Sequence, residues 1–172
     1  MATVVVPLTE AHFHQLHQVL DEVAREKRYL AMLQAPPREQ TFAFLRDSLN
    51  NRNPHVVALL DGQVVGWCDV LPVFGEARRH VGTLGIGLVR RARHQGLGRA
   101  LLDAAIAGAW ARGLTRIELT VRADNHNARE LYERVGFQHE GRQYGSFQVD
   151  GETFDSHAMA LLRDGHGPVA CA

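Results

Sequence analysis

Apolar residues recur along this chain with two different spacings, and the changeovers between them mark out its elements. "TVVVPL" (residues 3–8) is a β-branched run and reads as a first strand, whereas Phe13, Leu16, Leu20, Val23 and Ala24 fall at helical spacing within Thr9–Tyr29. Thr9 stands where an N-cap belongs. Pro36 and Pro37 break the pattern; a second helix begins near Arg38, carries Phe42, Leu45 and Leu49 on one face, and stops at "NNRNP". "HVVALL" and "VVGWCDV" flank Asp61-Gly62-Gln63 as a hairpin. A fourth strand, "HVGTLGIGLV", runs into "RRARHQGLGRALL" (residues 90–102). The helix that follows aligns Leu101, Leu102, Ala105, Ile106 and Ala109, with Gly113 as its stop. "RIELTV" is a buried fifth strand and "NHNARELYERVG" a helix begun by Asn125 and ended by Gly136. "FQHEGRQYGSFQV" and "TFDSHAMALL" form a last hairpin across Asp150-Gly151. Strand and helix alternate only in the second half, so the fold class is mixed α/β (α+β) with a mostly antiparallel sheet. A single domain over residues 1–165 is expected, with 166–172 as a disordered tail.

Composition narrows the function classes. The 172 residues carry 19 Lys+Arg against 19 Asp+Glu, so no overall charge announces a nucleic-acid or membrane partner, and any functional charge is local. No apolar run approaches the roughly 20 residues that span a bilayer. Two cysteines fit a reducing compartment, and a cytoplasmic location is expected. Of the ten histidines, His12, His14 and His17 share a helix without a Cys or carboxylate to complete a ligand set, so no metal is expected.

Local charge gathers in "RRARHQGLGRALL". A dinucleotide fingerprint fails there because Leu101 stands at the third glycine site, and a P-loop fails because Gly98 is followed by Arg99-Ala100. What remains is a strand, Arg93-x-x-Gly96-x-Gly98 and a helix. The first turn of a helix presents unpaired N–H groups, and glycines let an anion approach them. A glycine-punctuated turn with a solvated basic edge stays open beside that reading.

"GIGLVRRARHQGLGRALL" resembles the strand-loop-helix signature of the GNAT-type N-acetyltransferases, and "LTVRADNHNARELYERVGF" is similar to that family's later motif through Asn125, Ala128, Tyr132, Gly136 and Phe137. The likeness is strongest over residues 55–162, and within the superfamily it is greatest to bacterial acetyltransferases of small amines and amino acids. It implies a GNAT fold: six or seven strands, the fourth and fifth splayed apart, and about four helices. It implies acetyl-CoA as co-substrate, with the main chain of Leu88, Val89 and Arg90 beside the pantetheine arm. The diphosphate would lie against the amides of His94, Gln95, Gly96, Leu97 and Gly98, assisted by the side chains of Arg93 and Arg99. Asn125 reads both as an N-cap and as a contact to the cofactor amides.

The reaction implied is attack of a primary amine on the thioester, with the Leu88 N–H toward the oxyanion and the Tyr132 hydroxyl donating to the departing sulfur. Histone-type members carry a Glu on the fourth strand at the position of Gly82, so the base must come from elsewhere; His80 and Glu118 are the candidates, and Asp69 a weaker one. An α-amine of pKa about 8 is already roughly one-tenth neutral at pH 7, which favours an amino acid or similar small amine. Arg28, Tyr29, Trp67, Tyr144 and Phe147 are candidate lining for its pocket. A protein N-terminal or lysine acetyltransferase and a non-catalytic acyl-CoA sensor are the alternatives, and a homodimer is left open.

Overall fold

The computed structural model describes residues 1–164 of the chain; the expected tail lies outside them. Seven strands form one open sheet in the order β1-β2-β3-β4-β5-β7-β6. They are β1 (Thr3–Pro7), β2 (His55–Leu60), β3 (Gln63–Pro72), β4 (Val81–Leu88), β5 (Arg116–Arg122), β6 (Gln138–Val149) and β7 (Glu152–Leu162). Every neighbouring pair is antiparallel except β4 and β5. The helices are α1 (Phe13–Arg25), α2 (Arg38–Asn50), α3 (Leu97–Ala111) and α4 (His126–Val135). None among the described residues is long and apolar enough to cross a membrane.

Both hairpins form as their Asp-Gly signals predict: Asp61 and Gly62, and again Asp150 and Gly151, take positive φ at successive positions. The apolar stripe on α3 is buried at all five expected positions, and Gly136 closes α4 at φ 116°. Two boundaries differ from the sequence reading. The first helix ends at Arg25 instead of Tyr29, because Lys27 turns to φ 57° and redirects the chain; Thr9 precedes a 3-10 turn (Glu10–His12), not the α-helix itself. The sixth strand is interrupted between Gln143 and Phe147, where Gly145 at φ 60° donates its N–H to Asp155 (2.8 Å).

Directly paired residues share a face of a sheet, so the register sorts the layers. His55, Trp67, Asp69, Gly85 and Gly87 share one face. There α2 covers them, since its Ser48 hydroxyl meets His55 Nδ1 at 3.2 Å, and α1 joins α2 through the Phe13–Phe42 ring contact. The opposite face carries Cys68, Leu88 and His157; α4 reaches it through Arg129 to His157 (3.1 Å), and α3 packs there beside α4, where Gly98 faces Leu131 and Leu88.

Candidate active site between the fourth and fifth strands

Strands β4 and β5 pair only at Val81–Arg116, Gly82–Ile117 and Thr83–Glu118, and beyond that point they diverge. The phase of the flanking ladders shows which backbone groups enter the gap. Val89 N–H bonds Val65 O (2.9 Å), which places the odd-numbered residues of β4 in hydrogen-bonded pairs with β3. Leu84, Ile86 and Leu88 therefore turn their N–H and C=O groups away from β3, into the gap. On the far side Ala123 N–H bonds Asp155 O (2.8 Å), so Thr120 of β5 turns its own groups the same way. Main-chain polar groups without a ladder partner need another one, and a polar, amide-bearing chain laid between the strands would supply it.

At the mouth of the gap the chain makes a 3-10 turn (Arg90–Ala92), passes through His94 at φ 61° and Gly96 at φ 81°, and enters α3. The first backbone bond of that helix is Ala100 N–H to Gly96 O (3.1 Å), so the amides of Leu97, Gly98 and Arg99 stand ahead of the helical ladder. A Cβ on Gly96 would meet nothing within 4 Å; on Gly98 it would crowd Leu131 at 3.2 Å. The loop thus presents open amides on one side while Gly98 admits α4 on the other.

The arginines of this loop differ in their bonding. Arg93, expected as a diphosphate counter-ion, lies among internal partners: Nε donates to Leu88 O (2.9 Å), the two terminal nitrogens hold the Glu26 carboxylate at 2.9 and 2.5 Å, and the guanidinium sits 4.5 Å from the Tyr29 ring centre. The Leu88 carbonyl is thereby engaged, and its N–H is the group left toward the gap. Arg99 pairs with Asp103 one turn along α3 (2.9 Å), and Arg91 reaches Glu22 at 3.4 Å. Arg90 is exposed and makes no ion pair among the described residues.

From the α4 side, Tyr132 lies 7% exposed against Phe137, with ring centres 5.8 Å apart. Burial raises its hydroxyl well above the usual phenol range, and the Cys68 thiol adds to this. It is a proton holder and donor, not an anion, at any physiological pH. Asn125 caps α4 through Oδ1, which accepts from Ala128 N–H (3.3 Å).

The structure does not bring His80 or Glu118 to this group. Glu118 is in the last paired position and is bound by Arg78 (2.7 Å) and Arg116 (2.9 Å); although its partial burial opposes the effect, these two cations hold its carboxyl below the usual range. His80 precedes β4 and lines a shallow pocket of about 240 Å³ with Thr115, Arg116, Leu162 and Asp164. Leu88 is eight residues farther along the strand, roughly 26 Å away at 3.3 Å per residue. Of the candidate pocket aromatics, Trp67 is buried beneath β4 and Tyr29 stacks under Arg93, whereas Tyr144 is exposed, with Arg142 5.4 Å from its ring centre. Among the histidines, His17 Nε2 meets Pro36 O (2.9 Å) and His12 Nδ1 meets the Thr9 N–H (3.0 Å).

Sequence reasoning missed Glu26 as the partner of Arg93, and it missed Arg122. The latter is buried at the end of β5, lies 3.8 Å from the Phe154 ring centre, and donates to Lys27 O (2.9 Å). The two arginines come from opposite lips of the gap and hold the same short segment after α1. An Arg directly following the buried run "RIELTV" was the available signal for the second.

Residues 15–137 match the pattern of the acetyltransferase (GNAT) family. The L-amino acid N-acetyltransferase AaaT of Escherichia coli K12 is 34% identical over 110 residues, which span 63% of this chain and 67% of that protein. A GNAT-family acetyltransferase structure from Streptococcus pneumoniae superposes with a TM-score of 0.87 at 26% identity, covering 94% of this chain and 99% of that one. The structure of YncA from Salmonella typhimurium with its cofactor acetyl-CoA superposes with a TM-score of 0.90 at 18% identity, covering 99% of this chain and 100% of that one.

Proposed function

The chain belongs to the GNAT acetyltransferase family, and from that premise we propose that it transfers acetyl from acetyl-CoA to the primary amine of a small molecule, an amino acid or similar amine. The observation that carries the reading is the gap itself: Leu84, Ile86 and Leu88 turn main-chain groups into it, directly ahead of the open amides before α3. Those groups match the amides of a pantetheine arm and the oxygens of a diphosphate in both chemistry and order. In this role His94, Gln95, Gly96, Leu97 and Gly98 cradle the diphosphate by backbone, with Arg90 and Arg99 as outer counter-ions. Val89 serves mainly by position, since its N–H is already bonded to β3. Arg93 acts indirectly: by engaging the Leu88 carbonyl and Glu26 it fixes the strand end whose N–H faces the thioester oxygen.

When bound, acetyl-CoA supplies an activated acyl carbon with a thiolate leaving group. Tyr132 donates a hydrogen bond toward that sulfur. Because burial makes the Tyr132 hydroxyl hold its proton more tightly than an ordinary phenol, it does not hand that proton to a thiolate of pKa about 8.5; it stabilises the departing charge by hydrogen bonding while solvent completes the transfer. His80 stands too far along β4 to take the amine proton in this arrangement, and the Glu118 carboxylate is engaged by Arg78 and Arg116, which lower its proton affinity. The likeness to AaaT and the low proton affinity of α-amines both favour an amino acid as acceptor.

A CoA-thiol release assay with acetyl-CoA against the twenty L-amino acids, polyamines, aminoglycosides and short peptides tests the reading. Turnover with free amino acids is expected. Turnover confined to peptides would move the assignment to a protein acetyltransferase, and acetyl-CoA binding without any turnover would make the chain a sensor.

A further inference from the structure

Two glycines on the divergent half of β4 stand where β3 side chains occupy the space. A Cβ on Gly87 would lie 2.3 Å from the Trp67 ring, and a Cβ on Gly85 would lie 2.7 Å from Asp69 Oδ1. Asp69 and Gly85 are directly paired, so the carboxyl leans across from β3 and fills the position that a side chain at residue 85 would take. Glycine in a strand marks such close approach. Asp69 is 6% exposed and forms no salt bridge with any described residue. A carboxylate buried without a cation is costly and needs a reason.

We propose that Asp69 is the general base of the acetyl transfer, delivered to the reaction centre from the third strand through the space left by Gly85. The proposal rests on the acetyltransferase reading above. Asp69 lies on the α1/α2 face of β4, and Tyr132 approaches from the α3/α4 face, so the two proton-handling groups flank the strand whose edge holds the thioester. An ammonium substrate entering from the α1/α2 face gives one proton to Asp69, directly or through one water, and its neutral nitrogen attacks the acyl carbon. The N–C bond forms, the C–S bond breaks, and the electron pair leaves on sulfur beside Tyr132. The second nitrogen proton neutralises the thiolate by way of solvent, and Asp69 returns its own proton to solvent.

Burial pushes the Asp69 carboxyl up to about 7, against some relief from backbone hydrogen bonds. That places it close to an α-amine, where proton exchange is efficient. No neighbouring charge sets this value. His55, opposite in β2, is held neutral by burial at about 4; the Cys68 thiol is pushed up by burial and by Asp69; β4 presents glycines, and α1 and α2 turn Phe13, Leu16, Val19, Thr41, Leu45 and Ser48 inward.

The test compares Asp69→Asn and Asp69→Ser with the parent protein, using acetyl-CoA and the best amino-acid acceptor of the panel. The expected result is a kcat loss of at least a hundredfold in both variants and disappearance of the acidic limb of the kcat/KM profile near pH 7. Acetyl-CoA affinity by calorimetry should be unchanged. The exchanged pair Asp69→Gly/Gly85→Asp, which returns the carboxylate to the same space from β4, should recover part of the rate and the acidic limb. Variants that bind acetyl-CoA normally and keep the parent kcat and pH profile would overturn the proposal and leave the acetyltransferase reading standing. A parent protein that binds no acetyl-CoA would overturn both.

Discussion

Arg93 and Asp69 illustrate how burial assigns work to a charged residue. Arg93 and Glu26 are 19% and 25% exposed at the side chain, so their contact is shielded in a way that the looser surface pairs are not. Alanine at either position strands the other charge, and a double-mutant cycle on chemical denaturation should return a coupling of about 1 kcal/mol or more. Arg93→Ala should also raise the KM for acetyl-CoA, because the Leu88 strand end loses its clamp. Glu26→Ala should raise it in the same direction; a rise with Arg93→Ala alone would show direct phosphate contact. For Asp69 the stability consequence has a definite sign. A folded pKa of about 7, above the ordinary value of 3.8, means that the native state holds a proton which the unfolded chain has released. The stability linked to it is complete below about pH 4, falls as pH rises through 7, and is then lost, by up to about 4 kcal/mol. Asp69→Asn should therefore melt several degrees above the parent at pH 8.5 and close to it at pH 4, by calorimetric scans at both values.

The elements that form the site were legible to different degrees. Alternation and Asp-Gly turns are local signals, so the hairpins, the strands and the buried stripe of α3 could be read directly from the residues. The divergence of β4 from β5 came only through the family likeness, because a strand's sequence does not say where its pairing stops. The Asp69–Gly85 contact depends on the register between two strands, and the Arg93–Glu26 pair joins residues far apart in the chain; neither has a periodicity to reveal it. Even so, Gly85 and Gly87, two apart and so on one face of their strand, were a visible sign of close approach. The divergence makes its own prediction. Amides of Ile86, Leu88 and Thr120 should exchange readily with deuterium in the ligand-free protein and slow about a hundredfold when acetyl-CoA is present at 100 times its Kd. Unchanged exchange at these three positions would place the pantetheine elsewhere.

Across the whole molecule, charge balance and helix content said little about function, and the site is a property of how two runs of chain meet. Strands β1–β4 with α1, α2 and α3 come from the first 113 residues; β5, β6, β7 and α4 come from the remainder. Three residue pairs join the sheet across that boundary, with the single covalent passage at Gly113, the ion pairs of Arg78 with Glu118 and Lys27 with Asp150, and the clasp of Arg122 on Lys27. A molecule divided in this way has a seam, and in the proposed reading the thioester would lie along it. The two pieces, residues 1–113 and 114–172, should reassemble when co-expressed, and acetyl-CoA should raise the yield of the joined form on size-exclusion chromatography. The substrate would then act as a rivet as well as a reagent, and each turnover, by releasing it, would briefly loosen the joint through which the products depart.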